Sequence, residues 1–548
     1  MNSENQKWNR RTLLKMTAGL AAGCNSGQLA AAVAPVKLGE AHRRAVDRRR
    51  RIVVQYDANN ALGKDWDRWL DYRFSWIDEP GVQIDAIWWD IQPLLKNYYP
   101  TPPGSLIYQW PDPTTDLVAR LVDETRERGL EVFWNHRISE VDIRPPGSKG
   151  WPDQPHPFKE EHPDWLLKTW WPHGLWNLAV EEVREYKLGL LRHVIETYPL
   201  DGIQLDFARH VPCLPPGQQW ELRHHVTDFV RMVREMTQEV ARKRGRPILL
   251  AARLPRNLEG CRVDGFDVET WAEQNLLDIF SLGSRSMEID LAAYRRITGG
   301  SHIKLQPCSD DHHAPAGYRC PPIEVFRGLF ANWWQQGADS VMTFNWACAA
   351  PELCEEMGGE VAPLSELEAY REVGDYSTMS GKDKTFVVER RGGYPWAEGY
   401  FNRNDDSPLP LSLEPDSSAA NLEIGIADPV AAEADKVREI ILSAVFFGAA
   451  DDESIEICLN GTRLEIGKIN PRWKDPQIFS PREEPSSGGK FARYRINPKQ
   501  KLLRVEYLLD PGVCRIGVNQ VEIRRISKAG SSTSVVNLEK LEVELRYL

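Results

Sequence analysis

Carboxylate side chains follow several short apolar runs of the sequence, where they could act as acids, bases or hydrogen-bonding ligands. Asp206 ends one such run, after a glycine and among apolar residues, where burial and the cation of Arg209 could set its protonation. Acid–base chemistry needs a second carboxyl group, and Asp311 and Glu288 are the candidates for it. The alternative is that Asp206 is structural, bonded to Arg209 or to loop amides.

Basic side chains occupy comparable positions at the ends of other apolar runs. His136 stands between Asn135 and Arg137 and is the histidine that best suits a pocket. Four arginines could together bind a carboxylate or sulfate group, or could equally form ion pairs with neighbouring aspartates: Arg137, Arg209, Arg253 and Arg285.

An alternation of short β-rich runs and helical stretches must position these residues. The β-rich runs are residues 52–56, 84–89, 130–134, 202–207, 248–253, 277–282, 302–307 and 340–346. Amphipathic stretches such as 180–198 and 222–244 separate them, and several end in a glycine that suits a helix C-cap. Eight such units predict a (β/α)8 (TIM) barrel of the α/β class. An open doubly wound sheet, the alternative, would carry a glycine-rich phosphate loop after its first strand, and none follows it.

In such a barrel, the side chains that bind and react lie at the C-terminal ends of the strands and in the loops that follow. Polar residues two positions apart, such as Gln204 and Asp206, should face the same side of the sheet. The predicted substrate-binding residues at this mouth are Asp57, Trp88, Trp89, Asp90, Trp134, Asn135, His136, Arg209, Arg253, Arg285, Asp310, Asn345 and Trp346.

The sequence changes character after about residue 380. Helical periodicity disappears, and β-rich runs with period-two alternation appear between turn signals, including the hairpin signal Asn460-Gly461. This pattern predicts an all-β, jelly-roll-like sandwich. We therefore expect a leader at residues 1–34, a barrel at 46–375 and a sandwich at 380–548.

Charge and composition exclude several classes of partner. The 548 residues include 68 Lys and Arg against 79 Asp and Glu, a formal net charge of −11. We expect neither nucleic acid nor an acidic membrane surface as a partner, since both require a basic footprint. The nine cysteines show no zinc-site spacing, and no nucleotide motif is present, so we predict no metal and no cofactor. Cys308 with Cys320, and Cys213 with Cys261, could form disulfides or stay buried thiols.

The N-terminal segment is typical of a twin-arginine export signal. Arg10-Arg11 precede a weakly apolar run at residues 16–23, about half the ~20 residues that span a bilayer, so we expect no transmembrane span. Processing would either attach lipid to Cys24 or cleave among the small residues 30–34. We therefore expect the twin-arginine machinery as a partner and a periplasmic or secreted location.

Three stretches together resemble bacterial glycosyl-hydrolase-like barrels related to family ten. They are residues 201–209, which include Asp206, residues 265–279 and residues 327–346. The resemblance implies a carbohydrate-active barrel. The xylanase arrangement, Asn-Glu after the fourth strand and Glu after the seventh, is absent, and Asp206 and Asp310-Asp311 stand there instead. This difference argues against an ordinary xylanase.

The leading hypothesis is an exported glycoside hydrolase that cleaves a neutral or anionic poly- or oligosaccharide through Asp206 and a second carboxylate. One alternative is a non-catalytic carbohydrate-binding barrel, and another is a lyase for uronate sugars with His136 as its base. The sandwich would bind carbohydrate or brace the barrel.

Tryptophan is unusually abundant, with 20 in the chain. Flat indole rings can stack on sugar rings, so we predict that Trp88, Trp89, Trp134 and Trp346 lie at the mouth. The predicted wall over the mouth contains Trp151, Trp165, Trp170, Trp171 and Trp176, whereas Trp66, Trp69, Trp271, Trp333 and Trp334 are assigned to packing.

Overall fold

The computed structural model describes residues 34–57, 66–90, 116–139, 157–170, 173–207, 210–283, 286–310, 318, 321–344, 346, 364–390, 407–415, 418–451, 453–475, 501–526 and 535–548. Its first ten strands are β1 (Ile52–Asp57), β2 (Ile84–Asp90), β3 (Glu131–Arg137), β4 (Leu166–Leu167), β5 (Leu175–Trp176), β6 (Gly202–Asp206), β7 (Leu249–Leu254), β8 (Ile279–Gly283), β9 (Lys304–Asp310) and β10 (Val341–Phe344). All but β4 and β5 pair in parallel and close into an eight-stranded barrel. The predicted TIM barrel is therefore confirmed.

Helices separate most of the barrel strands and cover them. They are α1 (Glu40–Val46), α2 (Trp66–Phe74), α3 (Leu117–Glu127), α4 (Pro157–Glu161), α5 (Glu181–Thr197), α6 (Arg223–Arg244), α7 (Leu258–Asp264), α8 (Val268–Glu273), α9 (Leu291–Thr298), α10 (Ile323–Gln335), α11 (Leu364–Glu372) and α12 (Tyr376–Met379). α6 shows why they form, since Val226, Phe229, Val230 and Val233 recur at helical spacing and are all buried. Gly245 then ends α6 with φ of 70°, a conformation that glycine adopts without strain.

Alternation along the barrel strands produces two separate apolar layers. Trp88, Phe133 and Phe344 point inward, and Trp88 and Phe133 stack with ring centroids 4.4 Å apart. Their neighbours Trp89 and Trp134 point outward into the larger core between strands and helices. Val46 of α1 belongs to the inner layer, so α1 covers the N-terminal end of the barrel.

Four aspartates form a repeated contact at this N-terminal end, which we call the barrel floor. Each lies at or just before the start of every second barrel strand and accepts a hydrogen bond from a backbone N–H at the start of the strand before it. The bonds run from Arg51 to Asp85, Val132 to Asp201, Leu250 to Asp278 and Leu305 to Asp339, with lengths of 2.7–3.0 Å.

The C-terminal part is a sandwich of antiparallel strands. They are β11 (Lys384–Val387), β12 (Leu411–Leu413), β13 (Ala420–Ile426), β14 (Val437–Phe447), β15 (Ser454–Leu459), β16 (Thr462–Arg463), β17 (Ile466–Trp473), β18 (Leu502–Leu508), β19 (Gly517–Ile526) and β20 (Val536–Tyr547). The larger sheet has the order β11-β20-β14-β18-β17 with β12 beside β20, and the smaller has the order β13-β19-β15-β16. Asn460 and Gly461, both with positive φ, form the predicted two-residue turn.

The barrel and the sandwich meet along α10 and along loops at the C-terminal ends of the strands. Gly328 of α10 approaches β11 so closely that a Cβ atom there would lie 2.2 Å from the carbonyl oxygen of Thr385. The carboxylate of Glu389, two residues after the end of β11, accepts hydrogen bonds from the backbone N–H groups of Met287 and Glu288 and from Arg256. Burial raises the pKa of Glu389, against the opposing charge of Arg256.

The structure also bears on the predicted disulfides and on the expected absence of a transmembrane span. Cys213, Cys261 and Cys308 are buried free thiols, and Cys320 lies outside the described residues. Cys213 and Cys261 are therefore not joined by a disulfide. None of the helices in the described ranges is long and apolar enough to cross a membrane.

Candidate active site

The C-terminal ends of four adjacent strands bring charged side chains together inside the barrel. Arg137 of β3 lies beside Asp206 of β6, which in turn lies beside Arg253 of β7. Asp90 ends the neighbouring strand β2. Because residues aligned on parallel strands face the same side, these four side chains share the interior of the barrel at its mouth.

The amide group of Asn135 joins the two aspartates. Its nitrogen donates to Oδ2 of Asp90 at 3.0 Å and to Oδ2 of Asp206 at 3.2 Å. The two carboxylate oxygens are therefore at most about 6.2 Å apart, the sum of these distances. Asn135 and Asp206 have no exposed surface, and Asp90 is 1% exposed.

Each aspartate also has an arginine partner. Nε of Arg137 lies 2.5 Å from Oδ2 of Asp90, and Nη1 of Arg253 donates to Oδ2 of Asp206 at 3.0 Å. The same Nη1 donates to Oε1 of Gln55 at 2.6 Å, and the guanidinium carbon lies 4.5 Å from the centre of the Phe344 ring. Two carboxylates and two guanidinium groups thus form a buried centre without net charge.

A chain of neutral side chains supports this centre from below. Gln204 donates to the hydroxyl of Ser281, Ser281 donates to Gln306, and Gln306 donates to Ser340, each at 2.9 Å. Gln204, Ser281 and Gln306 lie on the inner faces of β6, β8 and β9, and Ser340 directly precedes β10. Of these four residues, the sequence pattern had indicated only Gln204. The chain fixes the interior side chains of strands on opposite sides of the barrel.

Four residues predicted at the mouth lie instead on the outer side of the barrel wall. Trp89, Trp134 and Trp346 are 0–2% exposed and pack in the core between strands and helices, and the indole N–H of Trp89 donates to Thr125 of α3. His136 faces the same layer and accepts a hydrogen bond from Trp134 at 3.3 Å. Trp89, Trp134 and His136 alternate with the inward residues of β2 and β3, so they do not line the predicted mouth. Trp346, beyond the end of β10, packs against Phe326 and Tyr370 instead.

His136 is also unsuited to be the base of a lyase. Burial, together with the ammonium group of Lys187 on α5, lowers the pKa of His136 well below its usual value. Its ring also points away from the barrel interior, where the charged centre lies, because Asn135 and Arg137 on either side of it face inward. The lyase alternative from the sequence therefore loses its proposed base.

The other predicted catalytic residues are in different situations. Glu288 accepts a hydrogen bond from the backbone N–H of Glu389, so its carboxylate helps to join barrel and sandwich. Asp310 aligns with the inward residue Phe344 and is partly exposed at the end of β9. Asp311, Arg209, Arg285 and Asn345 lie outside the described residues, and of Asp57 only the strand position is described. Trp88 lies inside the barrel, stacked on Phe133.

The predicted tryptophan wall is described in part. The indole N–H of Trp170 donates to the carbonyl of Val211, and its ring lies 5.7 Å from the ring of His210. His210 is buried in the loop after Asp206, with φ of 70°. His210 stands four residues after Asp206, and this spacing could have indicated His210 as a further residue of the loop after β6. Trp165 is partly exposed and Trp176 is buried, whereas Trp151 and Trp171 lie outside the described residues.

Among the described residues, no three His, Cys, Asp or Glu side chains are grouped to hold a metal ion. The charged centre instead offers carboxylate oxygens and guanidinium N–H groups, which suit hydrogen bonding to hydroxyl groups and proton transfer.

No protein-family model and no curated protein sequence matches the chain. Solved structures resemble it at low similarity. The PgaB (BpsB) glycoside hydrolase domain from Bordetella bronchiseptica has a TM-score of 0.41 and 14% identity, over 60% of this chain and 99% of that one. Alpha-L-fucosidase isoenzyme 2 from Paenibacillus thiaminolyticus has a TM-score of 0.40 and 15% identity, over 62% of this chain and 51% of that one. A GH27 β-L-arabinopyranosidase from Geobacillus stearothermophilus has a TM-score of 0.37 and 11% identity, over 90% of this chain and all of that one. This chain spans about half the length of the fucosidase.

Proposed function

We propose that this chain is a glycoside hydrolase that works at the C-terminal mouth of its barrel, with Asp206 and Asp90 as its two carboxyl groups. The observation that supports it is the shared Asn135 amide, which keeps the two Oδ2 atoms within about 6.2 Å. Retaining glycosidases have carboxyl groups about 5–5.5 Å apart, and inverting ones about 6.5–9.5 Å. The pair therefore fits cleavage with retention at the anomeric carbon.

In this mechanism, Asp206 is the nucleophile. Its carboxylate, held by Arg253 and Asn135, attacks the anomeric carbon while Asp90 gives a proton to the leaving oxygen. Asp90 then removes a proton from water, which releases the sugar from Asp206. Before this step Asp90 takes up its proton from solvent, and the proposal requires that substrate binding separates Asp90 from Arg137.

The substrate that fits this centre is a neutral sugar. Before substrate binds, the two guanidinium charges of Arg137 and Arg253 are balanced by the two carboxylates, so the centre has no excess positive charge to attract a uronate or sulfate group. Hydroxyl groups can both donate to the carboxylates and accept from the guanidinium groups.

Two substitutions test the pair directly. We expect Asp206→Asn and Asp90→Asn each to lower kcat at least about 10²-fold on any glycoside that the wild-type protein cleaves, because each removes a reacting group. Rates on a panel of neutral aryl glycosides and oligosaccharides measure this effect, and proton NMR of the first-formed anomer tests retention. Asp339→Asn, at the opposite end of the barrel, is the matched control and should keep the wild-type rate.

An inverted product would assign the second carboxylate to the other side of the mouth, where Asp310 ends β9 and Asp311 is next in the sequence. Wild-type rates in Asp206→Asn would contradict the proposal as a whole.

One observation favours a second candidate function, a barrel that binds carbohydrate without cleaving it. Both aspartates are paired with guanidinium groups, and a general acid must carry a proton. In that case the wild-type protein binds an oligosaccharide of the panel but releases no product. The weakened binding of Asp206→Asn would then show that the same centre is used.

A further inference from the structure

The larger sheet of the sandwich carries a groove on its outer face. Along β18, Leu503, Val505 and Tyr507 are buried in the core, so Arg504 and Glu506 between them face outward. Glu544 and Arg546 of β20 and Glu439 of β14 face the same side, as does Lys468 of β17. We call the concavity lined by these six charged side chains the sandwich groove, and its volume is about 590 Å³.

The charges of the sandwich groove form one connected network. Nη2 of Arg504 donates to Glu544 at 2.6 Å, and its Nε lies 3.0 Å from Glu506. Arg546 donates to Glu439 at 2.9 Å and to Glu544 at 2.7 Å. The guanidinium carbon of Arg504 also lies 4.3 Å from the centre of the Trp473 ring. These contacts fix the positions of donors and acceptors before any ligand arrives.

The floor of the sandwich groove is largely withdrawn from water. The side chains of Arg504, Glu544 and Glu506 are only 13%, 17% and 20% exposed. Ion pairs removed from water add little net stability, so bracing a sheet does not require them. A bound ligand, in contrast, could form hydrogen bonds to both the carboxylates and the guanidinium groups.

We propose that the sandwich groove is a second carbohydrate-binding site, which takes a neutral saccharide chain. Three acidic and three basic side chains balance, so the groove does not attract a polyanion or a polycation. Carboxylates accept hydrogen bonds from hydroxyl groups and guanidinium groups donate to them, while the exposed Leu508 offers apolar surface to the face of a sugar ring. The choice of a saccharide rests on the proposed function of the barrel.

The sandwich groove lies near a contact between Tyr318 and the sandwich. Tyr318, between β9 and α10, donates to Glu542 at 2.7 Å, and Glu542 also pairs with Lys540 at 2.8 Å. Glu542 and Glu544 are two positions apart on β20, about 7 Å along the strand. A polymer bound in the groove would therefore pass close to Tyr318.

Affinity electrophoresis of the full chain tests this proposal. The gels contain one soluble neutral polysaccharide each, namely hydroxyethyl cellulose, arabinoxylan, galactomannan, pullulan or dextran, with heparin as the polyanion. We expect at least one neutral polymer to retard the wild-type protein and Glu506→Gln/Arg546→Gln to bind it at least tenfold more weakly. The matched control Glu456→Gln/Arg463→Gln removes an ion pair from the smaller sheet and should bind like the wild type. Thermal melting shows that each variant is folded.

Equal retardation of the groove variant and the wild type, retardation by heparin alone, or no retardation by any neutral polymer would overturn the proposal. If the groove binds a polymer and no glycoside is cleaved, only the proposed hydrolase activity fails. If a glycoside is cleaved and the groove substitutions leave polymer binding intact, only the second site fails.

Discussion

The buried carboxylate of Asp278 contacts two histidines, an arginine and a backbone N–H group. It accepts hydrogen bonds from Nε2 of His42 and Nε2 of His302, both at 2.9 Å, and from the backbone N–H of Leu250 at 2.8 Å. It is also paired with Arg234 at 2.9 Å. Burial alone would raise the pKa of Asp278, but the charge of Arg234 and the hydrogen bonds from His302 and His42 keep it well below the usual value. Since His42 lies on α1, this carboxylate also ties α1 to the barrel floor.

This network predicts a dependence of stability on pH. Because the pKa of Asp278 is lower in the folded protein than in the unfolded chain, its stabilisation is present above about pH 4 and is lost as the pH falls below that value. We expect Asp278→Asn to cost about 3–5 kcal/mol at pH 7, since it leaves the buried guanidinium group of Arg234 without its anion. The variant should also lose stability less steeply than the wild type between about pH 4 and pH 2.

Urea unfolding at several pH values measures both effects. Asp339→Asn is the matched control, because Asp339 makes the same backbone bond but its side chain is 28% exposed. Its cost should stay within about 1 kcal/mol. If the two variants lost equal amounts of unfolding free energy, the burial of Asp278 would add nothing to its contribution to stability.

At the scale of elements, the contact between α10 and β11 depends on a glycine, Gly328, which has no side chain at the point of closest approach. Gly328 lies in the middle of α10, where an alanine would be preferred by about 0.5–1 kcal/mol if space allowed. The carbonyl of Thr385 occupies that space, since a Cβ at Gly328 would lie 2.2 Å from its oxygen. The helix and strand can therefore pack only through a glycine.

We expect Gly328→Ala to destabilise the protein by about 1–3 kcal/mol, because α10 and β11 must separate to make room. The matched control is Gly189→Ala in α5, where a Cβ meets nothing within 4 Å. That substitution should stabilise by about 0.5–1 kcal/mol. Urea unfolding of both variants gives the comparison, and a Gly328→Ala protein as stable as the wild type would refute this packing argument.

The position of each site residue shows what sequence reasoning can reach. Short β-branched runs predicted all eight barrel strands, because buried parallel strands are continuously apolar. The same period of two could have placed Trp89 and Trp134 outside, since Asp90 and Asn135 directly after them face inward. The bridge from Asn135 to Asp90 and Asp206 could not be predicted, because it depends on the relative register of three strands.

At the scale of the whole molecule, export remains a proposal, because residues 1–33 lie outside the described residues. We propose that Arg10-Arg11 direct the folded chain through the twin-arginine pathway. The Arg10→Lys/Arg11→Lys double variant should then stay in the cytoplasm of a bacterial host while Cys24→Ala is still exported. Fractionation followed by immunoblotting measures this distribution. Export of the double lysine variant at the wild-type level would contradict the twin-arginine assignment.

The four floor aspartates divide the barrel into quarters of two strands each. The charged centre at the mouth follows no such repeat, because Asp90, Asn135, Asp206 and Arg253 all come from four consecutive strands on one side. The aspartates are thus evenly spaced around the N-terminal end of the barrel, whereas the residues of the charged centre at the C-terminal end come from one side. The guanidinium group of Arg253 nevertheless reaches across the interior to Gln55 of β1 and to the ring of Phe344 on β10, so this one side chain connects the charged centre to the opposite half of the barrel.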